Sequence, residues 1–270
     1  MKKFVLSLSY GKDSLACLGA IEKLGWPLDH IVHAEVWATD CISADLPPMV
    51  EFKKKADAII KERYGIEVEH ICTMRSDGTR QTYEKIFYHI PKRKSGGNFK
   101  DGSFAGFPYT KGAWCNDRLK TNPLDAFSRP PQTGTVVQYV GIAADEQERL
   151  KRLDGITRIS PLAAIGWTEA EARRWCAENN LLSPIYTSAT RGGCWFCHNQ
   201  GVDQLRLLRK NYPDLWALLM KWDLDSPVPF HPNGRTVHDF DRRFQMEDAG
   251  QVPSDRRFRW GMVSGSSRKD

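Results

Sequence analysis

The feature that most constrains this chain is the alternation at its start, where hydrophobic period changes from two to about 3.6 and back. Residues 3–9 (KFVLSLS) read as a buried strand, and a helix follows from Ser14 with Leu15, Leu18 and Ile21 on one stripe, stopped by Gly25. Residues 30–38 (HIVHAEVWA) give a second strand. Pro47-Pro48 opens a second helix carrying Met49, Phe52, Ala56, Ile59 and Ile60, which Gly65 ends before the strand IEVEHIC. A β-α-β-α-β order with short connections requires a parallel sheet with right-handed crossovers, hence an α/β fold with helices on both faces.

Further along, a short helix is expected over 81–89, then a long surface loop over 92–112, a helix over 116–127, a strand over 135–142 and a helical stretch over 144–153. Thr168 and Glu171 form a capping box that starts a helix over 168–180. Helices at 202–209, 213–223 and 237–248 follow, the middle one with Trp216 and Trp222 on its face. The expected organisation is an α/β domain over 1–200, a helical appendage over 201–260 and a disordered polar tail over 261–270.

Composition narrows the function classes. The chain has 270 residues, 41% hydrophobic and 27% charged, which excludes collagen-like and wholly disordered classes. It has no apolar run of the ~18 residues a membrane span needs. Its start, MKKFVLSLSYGKDS, carries only five apolar or small residues before a Gly-Lys-Asp loop, so it reads as a strand and not a signal peptide, and a cytoplasmic location is expected. A net charge of +6, from 39 basic and 33 acidic residues, permits an anionic ligand without specifying one. Seven cysteines, an odd number, argue against a disulfide framework. Cys17 and Cys176 fall inside helical patterns and read as core.

The loop Ser9-Tyr10-Gly11-Lys12-Asp13-Ser14 joins the first strand to the first helix. A helix N-terminus offers unpaired N–H groups and a favourable dipole, so this is an anion-site geometry. Gly11 permits close backbone approach, Lys12 can neutralise a phosphoryl oxygen, and Ser9 and Ser14 can donate hydrogen bonds. The Walker A spacing G-x-x-x-x-G-K-[ST] is absent. Asp145 and Glu146, at a strand's C-terminal end, are candidates to bind Mg²⁺ or orient substrate. Cys194-x-x-Cys197 has chelating spacing, open to zinc with His198 as a further ligand or to no metal at all. Lys92, Arg93 and Lys94 with Phe99, Phe104, Phe107 and Tyr109 form a basic, aromatic stretch suited to single-stranded nucleic acid or to an anchored surface loop.

S-x-G-K-D-S in this setting resembles the PP-loop of the ATP pyrophosphatases, in the phosphoadenosine phosphosulfate (PAPS) reductase-like branch. The resemblance continues in family order to about residue 200. It takes in Ala38-Thr39-Asp40, then Trp114-Cys115-Asn116-Asp117-Arg118-Leu119-Lys120, then Gly141-Ile142-Ala143-Ala144-Asp145-Glu146. Pro161-Leu162 with Trp167-Thr168, Pro184-Ile185-Tyr186 and Arg191-Gly192-Gly193-Cys194-Trp195-Phe196-Cys197 complete it. The resemblance implies ATP or a related adenine nucleotide held by Ser9, Gly11, Lys12, Asp13, Ser14 and Asp40. It also implies catalysis supported by Lys12, Asp145, Glu146 and Mg²⁺, and a [4Fe–4S] cluster on Cys115, Cys194 and Cys197, with zinc as the alternative. The implied chemistry is adenylation of an acceptor with release of pyrophosphate, then sulfur transfer. Nucleic acid is the candidate acceptor, a separate protein the sulfur donor, and self-association is open. Two departures bear on this. Ala143 stands where the family has arginine, a loss that Arg149 or Arg152 can make good. No cysteine follows Cys197 and only Trp114-Cys115 precedes Asn116, which weighs against the rival reading, reduction of an adenylyl sulfate to sulfite. A third reading is a nucleotide-binding accessory protein without turnover.

Overall fold

The computed structural model describes residues 2–90, 104–108, 113–129, 134–187 and 193–263. They fall into two compact units, Met1–Tyr83 with Cys115–Cys194, and Glu84–Trp114 with Trp195–Asp270. Among the described residues, 84–90 and 104–108 group with the C-terminal helices.

The first unit is the α/β body. Strand β1 (Lys2–Ser7) leads to helix α1 (Lys12–Leu24), β2 (His30–Ala34), α2 (Pro47–Tyr64) and β3 (Val68–Ile71). Gly25 and Gly65 close α1 and α2 at φ 61° and 68°, the left-handed caps that glycine favours. The second unit takes all but the first residue of helix α3 (Tyr83–Phe87). The first resumes at Cys115 within α4 (Trp114–Asn116), followed by a π-helical turn (Asp117–Thr121) and α5 (Asn122–Phe127), a run that covers the expected helix but is wound wider at its centre. Then come β4 (Thr135–Tyr139), α6 (Gln147–Leu150), β5 (Arg158–Ile159), α7 (Pro161–Ala164) and α8 (Glu169–Glu178). Thr168 and Glu171 make the expected capping box at the start of α8.

The five strands form one parallel sheet in the order β3-β2-β1-β4-β5. Alternation along the strands sends Leu6, Ile31, Val137 and Tyr139 to one face, where they pack with residues of α1, α2, α7 and α8. Val5, Val32 and Val136 face the other way, with Leu124 and Phe127 of α5. The order reverses beside β1, because β2 and β3 lie on one side and β4 and β5 on the other. Such a switch point opens a crevice at the strands' C-terminal ends.

Two strands stop short of expectation. β2 pairs with β3 only to Ala34↔Ile71. Beyond it the chain folds back on itself, with Ala38 N–H donating to Ile42 and a Trp37–Ser43 bridge. β4 ends at Tyr139 because Gly141 turns in against α1, where a Cβ would stand 2.5 Å from Ser14 N.

The second unit is held by aromatic packing. The Trp195 and Trp222 rings stack at 5.6 Å, and Phe87 meets both Trp222 and Phe107. Its helices are α9 (Val202–Asn211), α10 (Pro213–Asp225) and α11 (Val237–Asp248). Glu247 accepts from both Arg206 and Arg243. Phe104 and Phe107 pack on Phe87, and Phe107 is buried, the arrangement of the anchored-loop alternative for these two residues. Lys92, Arg93, Lys94, Phe99 and Tyr109 lie outside the described residues. Of the expected tail, Val263 packs with Val252 and Phe258, and 264–270 lie outside the described residues.

Candidate nucleotide site

The Ser9–Ser14 loop leaves β1 at the C-terminal edge of the sheet, next to the switch point. Ser14 Oγ takes the Ser9 N–H at 3.1 Å, lies 3.0 Å from Ser9 Oγ, and donates to the Gly11 carbonyl at 3.0 Å. The left-handed residue is Tyr10 (φ 55°), while Gly11 has an ordinary φ of −76°. Tyr10 is held in that uncommon conformation by its side chain, which is buried and hydrogen-bonded to Asp57 and to His70 Nε2. Burial, then the bond to Asp57, raises the phenol pKa far above its usual range. At the start of α1, the Lys12 N–H donates to Tyr186 Oη at 2.9 Å. The Asp13 and Ser14 N–H groups find no acceptor among the described residues, and Gly141 lies against the latter. This is an under-satisfied helix N-terminus of the kind that attracts anions.

Two regions of different chemistry flank the loop. On one side is a cavity of about 250 Å³, lined by Ser9, Tyr10 and Gly11 with His33, Asp45, Lys53, Lys120, Tyr186 and Cys194 among others. Its apolar wall includes Leu8, Val36, Met49 and Leu124. On the other side are carboxylates. Lys12 Nζ donates to both oxygens of Asp13 at 2.8 and 2.9 Å and lies 3.4 Å from Glu169. Burial works to lower the lysine's pKa, but Asp13 and Glu169 outweigh it and the net direction is up. Asp13 also moves up, because burial exceeds the help from Lys12.

Asp13, Glu146 and Glu169 bring ligand oxygens within 4.8 Å of one another, the donor set a hard cation prefers. Lys12 Nζ already contacts two of these carboxylates, so a metal ion there must compete with the ammonium. Asp145 is used differently, accepting the Glu169 N–H at 3.1 Å at the start of α8. Glu146 accepts the Ala143 N–H and pairs with Arg149, so this arginine serves the carboxylate region. Asp40 is exposed in the turn after β2 and is not among the residues lining the cavity.

None of the seven cysteines forms a disulfide. Cys17 and Cys176 are core as expected, with the Cys176 thiol donating to Lys12 O. Cys194 lines the cavity. Cys115 and Cys194 belong to the first unit and Cys197 to the second. Sequence reasoning named the loop but missed Tyr186, Glu169, Asp45 and Lys53 as residues around it. Lys53 sits in a Lys53-Lys54-Lys55 run that reads as a solvent face. Only the turn after β2, and the histidine on that strand, bring it inward.

No protein-family model matches the chain. Over 113 residues it is 31% identical to the uncharacterized nin region protein ORF290 of Escherichia phage lambda, a stretch amounting to 39% of this chain and 36% of that protein. The match thus spans about a third of the relative's length.

Proposed function

We propose that this chain is a PAPS reductase-like PP-loop protein that binds an adenine nucleotide at the loop Ser9–Ser14 and adenylates an acceptor for sulfur transfer. The observation that carries the reading is the under-satisfied N-terminus of α1 at the sheet's switch point, opening beside a cavity. An acceptor oxygen attacks the α-phosphorus, the bond to the β-phosphate oxygen breaks, and pyrophosphate leaves. A sulfur nucleophile from a donor then forms its bond to the acceptor as AMP departs. The chain's contribution is positioning and charge neutralisation. Ser9, Gly11, Asp13 and Ser14 offer the loop's hydrogen-bonding groups. Mg²⁺ would neutralise phosphate charge, and Asp13, Glu146 and Glu169 are the carboxylates suited to hold it once Lys12 gives way.

Cys115, Cys194 and Cys197 provide the soft donors that a [4Fe–4S] cluster, or zinc, requires. One observation favours a second reading. Cys194 lines the cavity beside the loop, where its thiolate attacking the sulfur of a bound sulfo group would form a Cys–S–sulfonate as the nucleotide phosphate leaves, and a second thiol from an external donor would then release sulfite and leave a disulfide. Anaerobic protein given ATP, Mg²⁺, a thiol donor and RNA or DNA is expected to release pyrophosphate only when acceptor is present. Sulfite from adenylyl sulfate or PAPS, with no pyrophosphate from ATP, would replace the first reading with the second. Once Mg²⁺ takes the Asp13, Glu146 and Glu169 carboxylates, the Lys12 ammonium is released to the phosphates. Lys12→Ala is therefore expected to weaken binding of Mg²⁺–ATP by about 1.5–3 kcal/mol, the scale of a charged hydrogen bond, and unchanged affinity would remove the loop assignment.

A further inference from the structure

The cation that the sequence offers to a phosphate is Lys12, yet its ammonium is engaged by Asp13 and Glu169 and it is not among the residues lining the cavity. A different lysine is built into the cavity wall. Lys53, in the second turn of α2, is only 9% exposed, which is rare for lysine. Its ammonium donates to Asp45 and, at 2.7 Å, to His33 Nε2, and it lies 5.2 Å from the centre of the Tyr10 ring. Its third N–H has no hydrogen-bond acceptor among the described residues.

The roles within this cluster follow from chemistry. The Leu8 carbonyl can only accept, so the 2.8 Å contact to it places the His33 proton on Nδ1. Nε2 then carries the lone pair that receives Lys53. Burial, followed by the Lys53 charge, holds the His33 pKa down to about 3, so the ring stays neutral and remains an acceptor. Asp45 supplies the counter-charge that keeps a buried ammonium tolerable. Two side chains therefore fix one ammonium at the wall of a cavity whose floor is the loop 9–11. As a pure stability device this is poor, since well-packed apolar residues replace buried ion pairs at little or no cost.

We propose that Lys53 is a second cation for the ligand, contacting an anionic phosphate oxygen from the wall of this cavity, with Asp45 and His33 as its positioning residues. The proposal rests on the nucleotide reading above for the identity of the ligand, and a lysine ammonium suits phosphate as a compact point charge.

The test is calorimetry of wild type, Lys53→Met and Lys53→Arg with ATP, AMP, adenosine and inorganic pyrophosphate. Lys53→Met keeps the apolar stem and is expected to lose about 10-fold or more in affinity for ATP and AMP, the lower end for a charged hydrogen bond. Adenosine affinity should change by less than about twofold, and Lys53→Arg should recover most of the loss, because it restores the charge alone. A structural role would instead move adenosine and ATP together. Equal ATP and AMP affinities in wild type and Lys53→Met, or equal losses for adenosine and ATP, would overturn the proposal. If Lys53→Met does not fold, judged by circular dichroism, Lys53→Gln is read in the same way. Wild type that binds pyrophosphate through Lys53 but no nucleotide overturns the nucleotide reading while upholding Lys53 as the anion contact. Wild type that binds none of the four ligands overturns both.

Discussion

The phenol oxygen of Tyr186 accepts the backbone N–H of Lys12 at 2.9 Å across 174 residues of chain. It thereby occupies one of the N–H groups at the start of α1 that an anion would use. A ligand claiming that group has to displace the phenol. Tyr186→Phe removes the competitor while keeping the ring. Anion affinity should rise about fivefold, the equivalent of one neutral hydrogen bond at about 1 kcal/mol, with a comparable loss of stability in the ligand-free protein. Titration of ATP or pyrophosphate into the variant measures the first and urea unfolding the second. Unchanged affinity would mean that the anion does not reach Lys12 N–H.

Gly141 fixes the same helix start from the opposite direction. An added Cβ would lie 2.5 Å from Ser14 N, 2.7 Å from Ser14 Cα and 2.8 Å from the Asp13 carbonyl carbon. All three are backbone atoms, so relief requires moving the first turn of α1. Gly141→Ala should cost about 1–3 kcal/mol, as overpacking does, and should weaken nucleotide binding beyond the effect on stability. Denaturant midpoints with and without ATP separate the two effects.

Gly19 sets two terms against each other. Alanine is favoured over glycine inside a helix by about 1 kcal/mol. Here its Cβ would meet the Trp175 ring of α8 at 2.3 Å. Trp175 is nearly buried and packed in the main core, so overpacking of about 1–3 kcal/mol should exceed the propensity gain. Gly19→Ala is expected to be destabilising with shifted tryptophan emission. A stabilised variant would show that Trp175 can yield.

These glycines also mark what the sequence could and could not reveal. Local signals worked where a local cause decides the structure. The β1–loop–α1 unit, the glycine stops at Gly25 and Gly65 and the Thr168–Glu171 cap all lie within a few residues of their cause. β2 was read too long because its pattern continues through Glu35–Ala38, whereas its ladder ends where β3 ends. The π-helical turn at Asp117–Thr121 leaves no mark in hydrophobic periodicity. Lys53 is hidden for the same reason as Trp175 against Gly19, since its environment is assembled from His33 and Asp45 on other segments. Phe104 and Phe107 were legible only as one of two alternatives, because aromatics in a basic stretch suit a loop anchor and a base stack alike, and the partners Phe87 and Phe230 that decide for the anchor lie on other segments.

The proposed cluster makes a separate prediction for the thiols. Cys115→Ser, Cys194→Ser and Cys197→Ser should each lower bound iron or zinc in anaerobically purified protein, because each removes a thiolate from a shared set. Cys41→Ser, an exposed cysteine outside the set, should leave metal content unchanged. Metal content equal to wild type in all three variants would remove the ligand assignment, and the ratio of iron to zinc in wild type distinguishes cluster from mononuclear site.

The pH dependence of stability follows from two histidines whose rings lie 5.5 Å apart near Tyr10. Burial, then the Lys53 charge, holds the His33 pKa down to about 3, so its contribution to stability is intact above the unfolded value near 6.5 and falls as pH drops below it. Hydrogen bonds to Asp57 and then Glu35 push the His70 pKa up to about 9, so its contribution is complete below about 6.5 and is lost as pH rises through 9. The two slopes cancel near pH 6.5, which places the stability maximum of this pair there. Between pH 6.5 and 5 the acid limb belongs to His33, because Glu35, held down to about 2 by His70, titrates lower still. Linkage gives a loss from His33 of about 2 kcal/mol by pH 5. His33→Gln keeps an acceptor for Lys53 but cannot be protonated, so it should flatten that limb, while His70→Gln should flatten the alkaline one. Urea unfolding at half-unit steps from pH 5 to 9.5 measures both, and an acid limb as steep in His33→Gln as in wild type would sink the assignment.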